Sequence, residues 1–193
     1  MPLPHNTPDK RDAILQATQS LLASLGFHGF SIRQVAERAG VAAGTVYLYF
    51  DDREDLIRQL RERIIREVAR SVFANHDAEK DLSEQYRGIC HNYWRFCVDF
   101  PEILSCKAQF DHLPVEVLRL QSEELKAGFR PLYQLFATGR MRGEIKDLCD
   151  EVLFSLTLEP LGSLARKQTL GMIEMNEQCL TSVIDACWDA ITR

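Results

Sequence analysis

Three side chains between residues 47 and 53 are spaced so that they could donate hydrogen bonds together. Tyr47, Tyr49 and Arg53 bring two phenol hydroxyls and one guanidinium. Such donors commonly contact the phosphates of DNA, which fixes a protein on the duplex without reading its sequence. Arg53 follows Asp52, a suitable helix N-cap, so backbone amides could meet the same phosphate. The alternatives are that the tyrosines pack in a core and that Arg53 is a solvated surface charge.

The stretch before these side chains predicts two short helices joined by a tight turn. Apolar residues recur with helical spacing from Ser31 to Ala39. The spacing breaks at Gly40 and then resumes at a different angle around the helix axis. Ser31 and Gln34 have the spacing of a capping box, and Gly40 can take the positive φ of a turn. The residues expected to join the two helices are Val35, Ala36, Ala39, Val41 and Val46. This pattern is typical of a helix-turn-helix, which points its second helix toward the major groove of DNA.

The charge distribution is compatible with DNA binding through a small surface, although the chain is acidic overall. The formal net charge of the 193 residues is −5. Residues 1–66 carry nine Lys and Arg against eight Asp and Glu, whereas residues 67–193 carry fourteen against twenty. Because salt screens distant charges, the balance near the binding surface matters more than the total.

Several classes of protein are disfavoured by what the sequence lacks. It has no apolar run of membrane-spanning length and no apolar segment typical of a signal peptide near residue 1, so we expect a cytoplasmic protein with no membrane partner. Six cysteines include no C-x-x-C pair, which favours reduced thiols over disulfides or a zinc site. No nucleophile elbow, P-loop, dinucleotide-binding or zinc-protease motif occurs. We therefore expect no enzymatic activity, no cofactor and no metal site.

Helical periodicity along nearly the whole chain predicts an all-α fold. Thr7 is the predicted N-cap of the first helix, with Pro8 at its first position. The predicted helices are Pro8–Leu25, Ser31–Ala39, Ala43–Tyr49, Arg53 to about Ala74, Leu82–Phe100, Pro101–Phe110, Pro114–Thr138, Asp147–Met172 and Asn176–Ile191. Loops are predicted over 75–81 and 139–147, and Pro160 is expected to kink its helix. We predict a three-helix domain over 1–52 and a larger helical domain over 53–193, which begins with a connecting helix over 53–74.

The run GFHGFSIRQVAERAGVAAGTVYLYFDDREDLIRQL, residues 26–60, resembles the DNA-binding domain of the TetR (tetracycline-repressor-like) family of bacterial transcriptional regulators. The resemblance is carried by Gly26, Ser31, Ala36, Ala39, Gly40, Val41, Gly44, Tyr47, Phe50 and Leu56. It implies an all-helical homodimer, with an N-terminal helix-turn-helix domain for a palindromic operator and a larger C-terminal domain for effector binding and dimerisation. Two positions depart from the pattern: Ala42 stands where Ser or Thr commonly caps the recognition helix, and Arg53 stands where Lys is usual.

The resemblance also implies which residues face DNA and what the chain does. The implied DNA-facing residues are Arg33, Ala42, Ala43, Gly44, Thr45, Tyr47, Leu48, Tyr49 and Arg53. The implied function is that of a repressor that binds a double-stranded operator and is released by a small, largely hydrophobic effector. A thiol or redox sensor, with Cys106 or Cys149 near a loop, stays open as an alternative. So does an architectural DNA-binding dimer without an effector.

The C-terminal domain is expected to hold the effector pocket and the dimer interface. An apolar pocket with a few polar groups is assigned to Tyr93, Phe96, Phe110, Gln121, Phe129, Tyr133 and Glu159. Core packing is the alternative for the aromatic residues, and a surface position is the alternative for Glu159. The dimer interface is assigned to an apolar stripe formed by Leu180, Val183, Ile184, Cys187, Trp188 and Ile191. Packing within one chain is the alternative for this stripe.

Overall fold

The computed structural model describes residues 9–110 and 125–193. Its named helices are α1 (Lys10–Leu25), α2 (Ile32–Ala39), α3 (Ala43–Val46), α4 (Arg53–Val72), α5 (Leu82–Asp99), α6 (Pro101–Phe110), α7 (Arg130–Arg142), α8 (Asp150–Thr169) and α9 (Glu177–Ile191). Residues 125–128, just before α7, are also helical. These two ranges contain no strand, only an isolated bridge between Ile145 and Thr192. The predicted all-α fold is therefore confirmed.

The described residues divide into two compact units, 9–64 with 105–110 and 65–104 with 125–193. The boundary lies within α4, after Ile64, whereas the sequence predicts a domain boundary after residue 52. In the described ranges, no helix is long and apolar enough to cross a membrane.

The N-terminal unit has an apolar core to which α1, α2, α3 and α4 contribute. The fully or nearly fully buried residues of this core are Ile14, Leu15, Leu22, Val35, Val46, Phe50, Leu56 and Leu60. The second half of α6 belongs to the same unit, where Phe110 meets Phe27 edge to face with ring centroids 6.1 Å apart. The thiol of Cys106 donates to the carbonyl oxygen of Gln19, at 3.5 Å. Helix α3 packs against α2 of the same unit.

Two helix ends in this unit differ from the prediction. Helix α1 begins at Lys10 rather than Pro8, because the carboxylate of Asp9 accepts from the Arg11 amide and so acts as the N-cap. The predicted cap Thr7 and Pro8 lie outside the described residues. Helix α3 ends at Val46 rather than Tyr49, because the next residues form a tighter turn in which the Leu48 amide donates to Thr45.

The C-terminal unit is built on α5, which packs against α7, α8 and α9. Its largest fully buried residues include Tyr86, Ile89, Leu132, Phe136, Leu153 and Ile145. Gly162 lies where α8 meets α5, and a Cβ there would come within 2.8 Å of the Tyr93 hydroxyl oxygen. The two helices can therefore approach closely only because residue 162 is glycine. Pro160 lies inside α8, and the helix continues past it to Thr169.

The prediction failed around α7 and at the ends of its neighbours. The predicted loop over 139–147 is wrong in its first part, because α7 continues to Arg142 and ends at Gly143, which has φ +72°. Gly139 is buried inside this helix, where the side chain of Ile145 fills the space that a Cβ would occupy. Periodicity places Phe100 on the buried face of α5, but it follows the helix end and is exposed. The predicted segment Pro114–Thr138 lies partly outside the described residues, and the described part is interrupted at Phe129.

Candidate nucleic-acid interface

The turn between α2 and α3 is held by its own backbone and by the cap of α2. The Gln34 amide donates to Ser31 Oγ at 3.3 Å, and the Ser31 amide donates to Gln34 Oε1 at 2.8 Å, which completes the predicted capping box. Gly40 has φ +67° in the left-handed region. After it, the Val41 amide donates to Ala36 at 2.9 Å, so the chain reverses within a few residues. The predicted helix-turn-helix geometry is therefore present.

Two buried side chains anchor the second helix and leave its outer face exposed. Val46 is 1 % and Phe50 2 % exposed, so both belong to the core. Between and before them, Ala42, Ala43, Gly44, Tyr47, Leu48 and Tyr49 are exposed, and Thr45 is half-buried. Tyr47 is 58 % and Tyr49 38 % exposed, which excludes the alternative that both pack as core residues.

The first turn of α3 has little side-chain bulk. Ala42 occupies the N-cap position and makes no side-chain hydrogen bond there. An ideal Cβ on Gly44 would have no atom of the described chain within 4 Å. The packing of this unit therefore does not require glycine at position 44, and the surface leaves room for an approaching molecule.

Arg53 is held in position by an aromatic ring. Its guanidinium carbon lies 4.8 Å from the centroid of the Phe30 ring, a cation–π contact, and Phe30 is itself buried. Within the described residues, the Nε and Nη2 atoms of Arg53 are buried without a hydrogen-bond partner. The contact with Phe30 keeps this charge at the start of α4, next to the exposed residues 47–49, where a phosphate could pair with it. Sequence reasoning missed Phe30, because its contact with Arg53 depends on the tertiary fold.

The acidic residues at the start of α4 are occupied by other partners. Asp52 accepts from the Asp55 amide at 2.7 Å and so caps α4, as predicted. The Asp55 carboxylate binds Arg58 at 2.5 Å and Gln59 at 2.8 Å. Burial opposes ionisation of Asp55, but hydrogen bonds from Arg58, the Asp51 amide and Gln59 lower its pKa below the usual value. Arg58 also binds Glu62, so its charge is neutralised within the helix.

The other basic residues near α3 differ in whether they are bound by other side chains of the protein. Arg33 is exposed on α2, in agreement with its predicted position on the DNA-facing surface. Arg38 donates to Ser20 Oγ at 2.7 Å. Arg11 hydrogen-bonds to Gln59 and lies over Phe50, with 5.8 Å from its guanidinium carbon to the ring centroid. Arg33 and Arg53 are therefore better placed than Arg11 and Arg38 to contact an external anion.

The residues assigned to the effector pocket are dispersed. Tyr93, Phe96 and Phe129 are buried in the C-terminal unit, whereas Glu159 is exposed on α8. Phe110 belongs to the N-terminal unit, and Gln121 lies outside the described residues.

An aromatic cluster connects two of the assigned residues. Phe129 meets Phe73 at 5.6 Å and Phe154 at 5.7 Å between ring centroids, and Tyr133 stacks on Phe154 at 6.3 Å. Burial, together with the nearby Glu151 and Asp150 carboxylates, raises the pKa of Tyr133 to about 12. Phe73 and Phe154 were not assigned to the pocket from the sequence. Their aromatic side chains are the feature of the sequence that could have suggested them.

A separate cavity of about 80 Å³ lies in the same unit, with His76, Gln85, Gln134, Thr138 and Arg142 in its wall. Of the six assigned pocket residues that the structure describes, none lines it. Its wall is more polar than an effector site for a hydrophobic molecule would require.

The stripe assigned to the dimer interface is largely buried within one chain. Leu180, Ile184, Cys187 and Ile191 are at most 8 % exposed, because α9 packs this face on α5 and α8. Trp188 is half-buried against Tyr86, with ring centroids 4.9 Å apart, and Val183 is half-buried. The structure thus corrects the expectation for the four buried residues, which are core residues of the protomer.

The cysteines fall into two groups by exposure. Cys149 and Cys179 are exposed, whereas Cys90, Cys97, Cys106 and Cys187 are buried. Cys106, which was expected near a loop, lies inside α6 with 0 % exposure. Burial raises the pKa of the Cys90 and Cys187 thiols and so lowers their reactivity. Among the described residues, no group of three or more His, Cys, Asp or Glu side chains could hold a metal ion.

Comparison with known families assigns both parts of the chain. A model described as "Bacterial regulatory proteins, tetR family" matches residues 14–60. A model described as "Tetracyclin repressor-like, C-terminal domain" matches residues 81–192, which is more than half of the chain.

Individual relatives agree with these family matches. An HTH-type transcriptional regulator of Haemophilus influenzae is 29 % identical over 187 residues, covering 96 % of this chain and 97 % of the relative. The fatty acid metabolism regulator protein of Bacillus subtilis is 26 % identical over 145 residues, covering 71 % of each. The structure of a TetR family transcriptional regulator from Vibrio parahaemolyticus is 35 % identical, with a TM-score of 0.86 over 96 % of this chain and 100 % of that one. The resemblance of residues 26–60 is therefore confirmed, and the chain belongs to the TetR family of bacterial transcriptional regulators.

Proposed function

We propose that this TetR family regulator is a repressor that binds a palindromic operator as a homodimer and is released by a small, largely hydrophobic effector. The observation that carries the proposal is the exposed outer face of α3 beside the stacked guanidinium of Arg53. Family membership supports a role in transcription, and the proposal places the protein in the cytoplasm with the DNA. We propose no catalytic step and no cofactor.

The proposed DNA contacts divide into two kinds. The hydroxyls of Tyr47 and Tyr49 and the guanidinium of Arg53 contact phosphates and fix the register of α3 on the duplex. Arg33 on α2 adds a further backbone contact. The exposed surface of α3 and its flanking residues, formed by Ala42, Ala43, Gly44, Thr45 and Leu48, then lies against base edges in the major groove.

The proposed dimer places two recognition helices in successive major grooves, about 34–36 Å apart. The last two helices remain the proposed site of self-association, with Val183 and Trp188 as the members of the predicted stripe that are not fully buried. The exposed side of α9 adds small side chains, Ser182, Ala186 and Ala190, which would permit close approach of a partner helix. A two-fold symmetric contact of this kind explains why the operator should be palindromic.

The effector part of the proposal rests on the aromatic cluster around Phe129 and Tyr133. If a ligand separates these rings, an aromatic lining with one hydroxyl would suit a molecule that is mainly hydrophobic with one polar end. The relative that is named a fatty acid metabolism regulator supports testing molecules with acyl chains. Helix α4 is continuous, and its residues 53–64 and 65–72 belong to different units. An effector that shifts α4 would change the separation of the recognition helices and lower operator affinity.

The proposal is tested by selecting bound sequences from random duplex DNA with the purified protein. We expect an enriched palindrome with half-sites one helical turn apart and a complex of two chains per duplex. Enrichment of a non-palindromic site, or of no site, would contradict the operator part of the proposal.

The second stage of the same experiment measures release from the selected duplex. Fatty acids of different lengths and their coenzyme A thioesters are added, and fluorescence anisotropy follows the labelled duplex. Release by a subset of chain lengths supports an effector pocket, whereas unchanged affinity with every acyl compound contradicts this effector class. Release by an oxidant that is abolished in Cys149→Ser or Cys179→Ser would instead favour the thiol-sensing alternative, because these two thiols are exposed.

A further inference from the structure

The outer face of α3 is apolar where a sequence-reading helix often carries hydrogen-bonding side chains. Ala42, Ala43 and Gly44 are exposed and have no polar side-chain atom. Leu48 is 81 % exposed, so nearly its whole isobutyl group projects from the surface. An isolated exposed leucine is ordinary on a protein surface, but Leu48 lies in the turn directly after α3, within the stretch that the proposed function directs toward base edges.

The side chains that usually read bases in pairs of hydrogen bonds are missing from this face. Bidentate recognition of guanine uses Arg or Lys, and that of adenine uses Asn or Gln. Residues 41–50 contain no Arg, Lys, Asn, Gln, Asp or Glu.

Polar side chains just outside this stretch are engaged elsewhere in the protein or, like Arg33 on α2, are assigned to the backbone of the duplex by the proposed function. Gln34 is held in the capping box with Ser31. Arg38 donates to Ser20. Arg53 is held over the ring of Phe30, and the proposed function assigns it to a phosphate.

We infer that α3 reads the 5-methyl groups of thymine by apolar contact, with Leu48 as the main reading side chain. This inference rests on the proposed DNA-binding function and specifies how it discriminates sequence. The thymine methyl is the one apolar group that a base pair presents in the major groove. The low bulk of the first turn lets the helix come close to the bases, and Leu48 then contacts the methyl group. The operator half-site therefore contains thymine opposite α3.

The test replaces single thymines of the selected operator by deoxyuridine, which removes the methyl group and keeps every hydrogen-bonding atom. We expect one or more positions in each half-site where the dissociation constant rises about fourfold, the effect of removing one buried methyl group. Replacing the equivalent thymine in both half-sites should raise the dissociation constant about fifteenfold. If deoxyuridine leaves the affinity unchanged at every thymine, the inference is wrong while sequence-selective binding, and hence the proposed function, still stands.

A second comparison assigns the effect to Leu48. In Leu48→Ala, the affinity ratio between the thymine and deoxyuridine duplexes should fall to nearly one, because the reading group is gone. Met141→Ala is the matched control, since Met141 is also an apolar side chain with 81 % exposure but lies on α7 of the C-terminal unit. The control should keep the ratio of the unmodified protein. A ratio that persists in Leu48→Ala would overturn the role of Leu48, and failure to bind any selected duplex would instead overturn the proposed function.

Discussion

Gly44 is a position where glycine has no role in the packing of the described chain. Glycine usually lowers helix stability relative to alanine, and an ideal Cβ at Gly44 would contact nothing within 4 Å. The simplest physical reason for glycine here is the close approach of another molecule. In the proposed complex, that molecule is the edge of the base pairs.

We therefore expect Gly44→Ala to preserve or slightly raise the free energy of unfolding and to weaken operator binding about tenfold or more, as a mismatched base pair does. Gly88→Ala is the matched control, because Gly88 is also helical and exposed and also has no atom within 4 Å of its ideal Cβ. The control should show the same change in unfolding free energy and unchanged DNA affinity. Equal DNA affinities for the two variants would contradict the close approach at position 44.

Arg53 shows how far the sequence could predict a single residue. Its charge and its place after the cap Asp52 were sufficient to predict a DNA contact. The stacking on Phe30 could not be predicted, because the two residues lie in different elements and meet only in the folded unit. The contacts of Asp55 could not be predicted from the sequence either. Its carboxylate binds Arg58 and Gln59, and so it is not a partner of Arg53.

At the scale of elements, the caps decide how well helix starts can be predicted. Ser31 and Asp52 were predicted as caps, and the structure confirms both. Asn176, the first residue of the last predicted helix, also acts as a cap. The end of α7 was not predictable in the same way. Its Gly139 resembles a helix terminator in sequence but fits inside the helix, because Ile145 packs against it.

The capping box of α2 should contribute measurably to the stability of the N-terminal unit. We expect Ser31→Ala to lower the free energy of unfolding by about 1 kcal/mol, because the Gln34 amide loses its acceptor. Urea titration followed by circular dichroism measures this change. Ser163→Ala, an exposed serine within α8, controls for removal of a hydroxyl from a helix and should change the stability by a few tenths of a kcal/mol at most. Equal effects of the two substitutions would show that the box contributes nothing.

At the scale of the whole molecule, an apolar stripe does not reveal which surface it is buried against. The stripe of α9 is wide enough to suggest a partner chain, yet Leu180, Ile184, Cys187 and Ile191 are buried by α5 and α8 of the same chain. The pocket residues failed to converge for a similar reason, since helical periodicity identifies apolar faces but not how these faces pair. The helix-turn-helix was predictable because its contacts are local in sequence.

The charge of the whole molecule sets the conditions under which it can bind DNA. With a net charge of −5, most of the chain repels a duplex, and attraction must come from the local cations near α3. The central claim is that this acidic protein binds DNA through that surface, with Arg53 contacting a phosphate. Arg58 provides a matched control, because it lies on the same helix but is already bound to Asp55 and Glu62.

The most direct test is the affinity for the selected operator and for a shuffled duplex, measured across a range of salt concentrations. We expect tighter binding to the operator and a linear fall of the logarithm of the binding constant with the logarithm of salt concentration. Arg53→Gln should reduce the slope by about one for each phosphate that this guanidinium neutralises, whereas Arg58→Gln should leave the slope unchanged. Equal affinity for the two duplexes, a salt-independent affinity or equal slopes for the two variants would contradict the claim.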